Sequence, residues 1–186
     1  MLLANREINS LCVFCASSSK VDEKYYSIAA SVGDFCAKEN LTVVYGGAQA
    51  GLMGRVADAA LGSGGEVIGV MPEILSDRER AHKGLSCLYI TKDMHERQKK
   101  MADLSDAFLI LPGGLGTLAE FFEILTWKQI GLHEKPIFLL NIYGFWDPLL
   151  NMIESVAQER FLHENPSDLF QILHSLEDFQ NFFTLE

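Results

Sequence analysis

Leu109-Ile110-Leu111-Pro112-Gly113-Gly114-Leu115-Gly116-Thr117 is the stretch that decides the fold. The apolar run over residues 107–111 reads as a strand buried on both faces, and the glycines after it open a helical pattern over residues 118–130. Strand, glycine turn and helix N-terminus together make a phosphate cradle. Glycines permit the tight turn, successive backbone N–H groups from Gly113, Gly114, Leu115, Gly116 and Thr117 face outward, the Thr117 hydroxyl adds a donor, and the helix end favours an anion. No Lys-Ser or Lys-Thr pair follows the glycines, so this is not a Walker A loop and triphosphate hydrolysis loses its lysine and its magnesium-binding hydroxyl.

The same unit recurs on both sides of that turn. Residues 10–14 read as a first strand with a small-residue exit at 16–19, followed by a helix over 22–38 in which Tyr26, Ala29, Ala30, Gly33 and Ala37 suit close packing. Strands are expected at 41–45 and 67–70, with a helix at 52–61 between them. Residues 72–86 are irregular; a short strand at 88–90 and a helix at 94–104 lead back to the decisive stretch. Beyond it, Gly131 stops the helix, Pro136 opens a strand at 137–140, and a helix covers 145–159. An edge strand at 169–173 and a closing helix at 176–183 complete the pattern. Such alternation implies parallel strands joined by crossovers. The expected architecture is α/β: a single-domain, doubly wound, Rossmann-like fold over residues 1–186, with a mostly parallel sheet and helices on both faces.

Composition narrows the function classes. With 186 residues, 48% of them hydrophobic, the chain has enough for one sizeable core and is poorly described as disordered. No apolar run reaches the roughly 18–20 residues of a membrane helix, and no secretory pattern opens the chain, so the expected location is the cytoplasm. A net charge of −10 argues against a nucleic-acid or membrane partner. The charge is uneven: residues 141–186 carry −7 and residues 78–100 carry +4, a stretch that serves either a small anion or ordinary solvation. Four cysteines are too few and scattered for a disulfide scaffold; Cys12 and Cys15 form a C-x-x-C, but inside a strand and its exit, where a redox pair usually opens a helix. The five histidines form no H-E-x-x-H, and neither a metal nor a cofactor is expected.

Several residues carry two readings. Tyr45-Gly46-Gly47, running into Gly51-Leu52-Met53-Gly54, is either a second anion-facing turn or a packing device. It does not match the dinucleotide fingerprint G-x-G-x-x-G. Thr117 and Glu120 satisfy the capping box S/T-x-x-E, so Glu120 either bonds back to its own helix or faces a site. Glu123 follows on the same side of the helix. Phe121, Phe122 and Trp127 can reach a base, but on a sheet-covering helix they belong more naturally to the core.

Taken together, these motifs resemble the LOG, or Lonely Guy, family of cytokinin riboside 5′-monophosphate phosphoribohydrolases, whose members have often carried the older label lysine decarboxylase. Residues 112–120 fit the family's P-G-G-x-G-T-x-x-E motif in full. Tyr45-Gly46-Gly47, Gly51-Leu52-Met53-Gly54, Ala57-Asp58-Ala59-Ala60 and Asp93-Met94-His95-Glu96-Arg97 match its other regions, as do Phe121, Glu123, Thr126, Trp127, Gln129, Gly131 and Lys135-Pro136. The resemblance implies that Arg97 and Glu120 are the catalytic pair and that Gly113, Gly114, Leu115, Gly116 and Thr117 hold a 5′-phosphate. It also implies nucleotide contacts for Glu79 and Thr126, with Glu123 as a neighbour, and a homodimer with its active site near the subunit interface. Two positions depart from the family: Gln98 stands where a lysine usually follows the arginine, and Ala119 replaces the first of two adjacent acids. Lys99 and Lys100 lie close to Gln98 in sequence.

The expected activity is hydrolysis of the N-glycosidic bond of a nucleoside 5′-monophosphate, AMP or an N6-modified AMP, to free base and ribose 5-phosphate. Glu120 would stabilise positive charge on ribose and activate water. Arg97 stays protonated and so serves positioning and electrostatics. The alternative is a non-catalytic nucleotide-binding regulator or carrier that keeps the turn without the chemistry. The decarboxylase label finds no recognisable lysine context for a pyridoxal phosphate Schiff base.

Overall fold

The computed structural model describes residues 8–76 and 81–184. Seven strands make one sheet: β1 (Ser10–Phe14), β2 (Thr42–Tyr45), β3 (Val67–Pro72), β4 (Cys87–Thr91), β5 (Ala107–Ile110), β6 (Ile137–Leu140) and β7 (Gln171–Leu173). Their spatial order is β4-β3-β2-β1-β5-β6-β7, and every pairing is parallel. Between them lie α1 (Glu23–Lys38), α2 (Gly51–Gly62), the short α3 (Glu73–Ser76), α4 (Met94–Asp103), α5 (Leu115–Gln129), α6 (Asp147–Gln158), the short α7 (Pro166–Leu169) and α8 (Leu176–Thr184). The doubly wound α/β architecture expected from the alternation is the one observed.

Burial on both faces explains why the central strands read as uninterrupted apolar runs. Along β1, Leu11 and Val13 join the core under α1, α2 and α8, while Cys12 and Phe14 join the core under α4 to α7. The C-x-x-C is therefore split between the two layers: Cys12 belongs to one core and Cys15 to the other, both as free thiols. Helices α1 and α2 approach so closely that a Cβ at Gly33 would collide with the Val56 carbonyl. Phe121 is fully buried, and Phe122 and Trp127 pack against the same core, so the aromatic residues of α5 serve packing.

The chain steps outward from β1 through β2 and β3 to β4, then returns to place β5 on the other side of β1. The strand order thus reverses at β1 and β5, and in such sheets ligands usually bind beyond the carboxyl ends of the strands at that point. Three connections are bonded together there. The Ala16 N–H donates to the Pro112 carbonyl at 3.2 Å, and Leu52 N–H donates to the Ala16 carbonyl at 2.9 Å. Gly51 fits against Ser17 with φ +63°, and a Cβ there would stand 2.5 Å from the Ser17 carbonyl carbon.

Some boundaries differ from the sequence expectation. Helix α5 begins at Leu115, three residues before the expected start, because Gly114 takes the extended N-cap conformation and Leu115, Gly116 and Thr117 already form the first turn. Strand β3 continues to Pro72, which pairs with Thr91 of β4. The edge strand expected at 169–173 shortens to β7, since Pro166 starts a single helical turn that includes Leu169. Of the two readings of Thr117 and Glu120, the capping box is not the one observed, since Gly114 is the N-cap and no side chain caps α5. A box does form at α8, where Ser175 Oγ accepts the Asp178 N–H at 3.0 Å and Asp178 Oδ2 accepts the Ser175 N–H at 2.9 Å.

Candidate active site

The site lies where the Arg97 side chain of α4 reaches Glu120 of α5, on the sheet face whose core both helices share. The first turn of α4 is fixed at both ends of a local cycle. Asp93 Oδ1 accepts the Glu96 N–H at 2.9 Å, and Glu96 Oε2 accepts the Lys92 N–H at 2.7 Å. This secures the helix just before Arg97, whose side chain turns inward.

Arg97 is held by a backbone carbonyl and a carboxylate. Its Nε donates to the Val70 carbonyl of β3 at 3.1 Å, and Nη1 donates to Glu120 Oε1 at 2.7 Å. Both side chains are buried, at 6% and 4% exposure, so this is a desolvated ion pair rather than a surface contact. A planar fork with several fixed donors can make both bonds at once. The pairing also decides between the readings of Glu120: its carboxylate faces α4 and not its own helix terminus. Beneath the pair sits Cys12, whose thiol is pushed well above its ordinary value by burial and then by the Glu120 charge.

The glycine turn supplies the other wall. Gly114, Leu115 and Gly116 are exposed, and a Cβ added at Gly114 or Gly116 would meet open space. Gly113 differs: a Cβ there would collide with Thr117 Oγ1, because Thr117 is buried and tucks under the turn. No side chain caps α5, so its first-turn N–H groups lie at an exposed, uncapped helix end built from glycines.

The remaining predicted residues fall around this centre. Glu123 is half-buried one turn along α5; burial raises its carboxyl above the ordinary value and neighbouring His95 partly offsets this. Thr126 is exposed, donates to the Phe122 carbonyl at 2.7 Å, and borders an apolar groove of about 150 Å³ shared with Met152, Val156 and Phe170. Glu79 lies outside the described residues. Ala119 points to solvent while Glu120 points inward, so that departure from the family pattern does not touch the ion pair. Gln98 is half-buried, and neither neighbouring lysine stands in for the missing charge: Lys99 bonds Asp103 at 2.8 Å and Lys100 lies over the Tyr89 ring at 4.3 Å. The Val70 carbonyl was not foreseeable, because every residue carries one and only the fold selects it.

Comparison with known proteins agrees with this architecture. A family model described as "possible lysine decarboxylase" matches residues 53–181. Among solved structures, a molybdenum cofactor carrier protein from Chlamydomonas reinhardtii superposes with a TM-score of 0.73, covering 96% of this chain and 98% of that one at 18% identity, which shows the shared fold. Among curated proteins, a cytokinin riboside 5′-monophosphate phosphoribohydrolase of Rhodococcoides fascians is 49% identical over 154 residues, covering 82% of this chain and 78% of its own length. The Arabidopsis thaliana phosphoribohydrolase LOG4 is 42% identical over 155 residues, covering 83% of this chain and 72% of its own length. With identity at that level across most of each protein, the chain belongs to the LOG family of cytokinin riboside 5′-monophosphate phosphoribohydrolases.

Proposed function

We propose that this protein hydrolyses the N-glycosidic bond of nucleoside 5′-monophosphates, AMP or an N6-modified AMP, releasing the free base and ribose 5-phosphate. The observation that carries this reading is the buried Arg97–Glu120 pair beside the uncapped, glycine-built end of α5. The 5′-phosphate binds the N–H groups of residues 113–117, and this remote binding energy positions ribose over the pair. Glu120 stabilises the oxocarbenium-like charge at C1′ and orients the attacking water. The C1′–N bond breaks, the water oxygen bonds to C1′, and the proton that water gives up ends on the departing base. Arg97 keeps its charge throughout and holds the carboxylate in place.

Glu123 and Thr126 flank the nucleotide from the next turns of α5, and Glu79 contributes from the segment after β3. A second copy of the chain covers the apolar groove beside Thr126, which is lined by the exposed large hydrophobics Met152 and Val156. The protein works in the cytoplasm; no helix among the described residues is long and apolar enough to cross a membrane. A carrier role draws on relatives at 18–19% identity, which share the fold alone, and it gives the buried ion pair no task.

The test is direct. Purified protein is incubated with AMP, other nucleoside monophosphates and N6-isopentenyl-AMP, and free base and ribose 5-phosphate are quantified. Equimolar release of both is expected, with adenosine a poor substrate because it lacks the anchoring phosphate. Binding without cleavage of any of these nucleotides would replace the enzyme by the carrier.

A further inference from the structure

Gly46 and Gly47 stand side by side after β2, yet they are glycine for different reasons. Gly47 has φ +80°, a conformation L side chains rarely adopt, while a Cβ on it would find ordinary contacts from 3.4 Å outward. Gly46 is not among the residues with positive φ, so an L residue can take its backbone. The obstacle at Gly46 is space. A Cβ there would collide with Arg97 Nη2; the next atoms, Met53 Cε and Sδ at 3.2 Å, belong to a flexible side chain that can shift by tenths of an ångström.

We propose that Gly46 is a positioning residue for Arg97: its missing side chain leaves the slot in which the guanidinium lies, and this fixes the geometry of the Arg97–Glu120 pair. All three guanidinium nitrogens are then accounted for. Nε is bonded to the Val70 carbonyl, Nη1 to Glu120, and Nη2 is accommodated against Gly46. The fork is rigid and planar, so displacing Nη2 must turn Nη1 away from Glu120 or Nε away from Val70. The second glycine region thereby acts on the reaction through Arg97 and without touching substrate. The inference rests on the proposed function for its catalytic consequence, but its geometric content can be read separately.

The experiment is a double-mutant cycle of Gly46→Ala with Arg97→Lys, since lysine lacks the forked Nη2. With AMP as substrate, Gly46→Ala is expected to lower kcat about 100-fold with KM little changed, the scale expected from an ångström of misplacement. In the Arg97→Lys background the same substitution is expected to cost less than about 2-fold, because the clashing atom is gone. The denaturation midpoint, followed through the same cycle, should drop with Gly46→Ala only when Arg97 is present. If Gly46→Ala alone does not fold, folding of the double variant carries the same meaning, and failure of both overturns the proposal. NMR adds a readout independent of turnover: the Arg97 Nε–H signal, protected by burial and by Val70, should exchange rapidly in Gly46→Ala and stay protected in Gly47→Ala. Equal losses in both backgrounds, or an unchanged Nε–H signal in Gly46→Ala, would overturn it. A wild-type protein that cleaves no nucleoside monophosphate would defeat the proposed function alone, leaving the midpoint cycle and the NMR signal to decide the role of Gly46.

Discussion

Arg97 and Glu120 meet at 2.7 Å although the strands that precede their helices, β4 and β5, are separated in the sheet by β3, β2 and β1. The crossover that carries the chain from the sheet edge back past β1 contains α4, on the same sheet face as α5, and from there the long Arg97 side chain reaches Glu120. Topology, more than local sequence, builds the pair. Its burial makes it costly to break on one side only, because the surviving charge stays in a low-dielectric environment without its partner.

Glu120→Ala and Arg97→Ala should each abolish or strongly impair release of free base from AMP, and each should lower unfolding free energy by about 3–5 kcal/mol. The double variant Arg97→Met with Glu120→Leu should be equally inactive but more stable than either single variant, since no lone charge is left buried. Denaturant unfolding of the three variants beside base release checks both halves. Full activity in either alanine variant would remove that residue from the mechanism.

The glycine turn predicts a split among its own members. Gly114→Ala and Gly116→Ala enter open space and should leave the thermal midpoint nearly unchanged while raising KM for AMP, because a Cβ blocks close approach of phosphate to the backbone. Gly113→Ala meets Thr117 within the protein and should lower the midpoint as well. Equal midpoints for all three would contradict the packing of Thr117 beneath the turn.

Much of this was legible in the sequence because parallel strands buried on both faces leave uninterrupted apolar runs, and glycines mark the turns at their carboxyl ends. The run at β5 and the turn after it indicated both the sheet type and the position of the glycine-built start of α5. Glu120 was ambiguous for a physical reason: a capping box and a site carboxylate share the spacing T-x-x-E, and only the early start of α5 at Leu115, with Gly114 as its N-cap, removes Glu120 from the capping position. The same competition explains Ser175 and Asp178, whose box does form but at a helix no motif had singled out. The slot at Gly46 and the Val70 carbonyl could not be read at all, since both depend on where α4 crosses the sheet. Lys99 and Lys100 were near Gln98 in sequence yet are committed elsewhere, because successive helical residues face different directions.

The thiols should be kinetically distinct. Cys12, Cys15 and Cys36 are buried, and burial raises all three, Cys36 to about 12, so at mildly alkaline pH they carry almost no thiolate. Cys87 is half-exposed on the edge strand. A colorimetric disulfide reagent should label one thiol rapidly in the native protein and the other three only on unfolding. Rapid labelling of Cys12 would mean that the floor of the Arg97–Glu120 pair opens to solvent.

His133 gives the fold a pH dependence of defined sign. Its Nε2 bonds the Ile124 carbonyl at 2.9 Å and its Nδ1 accepts the Lys135 N–H at 3.1 Å, so the ring is the neutral tautomer with the proton on Nε2. Burial lowers its pKa below 6.5, with Lys135 and Lys128 adding to the effect and the Ile124 bond opposing it. The unfolded chain then binds the proton first as pH falls. The stabilisation is complete above 6.5 and is lost progressively as pH drops below that value toward the lower folded-state pKa. Protonation at Nδ1 also removes an acceptor from the Lys135 N–H and loosens the turn after α5. Unfolding free energy measured across the weakly acid range should decline on acidification, and His133→Gln should flatten that decline while lowering stability at neutral pH. An unaltered slope in His133→Gln would assign the pH dependence to another group.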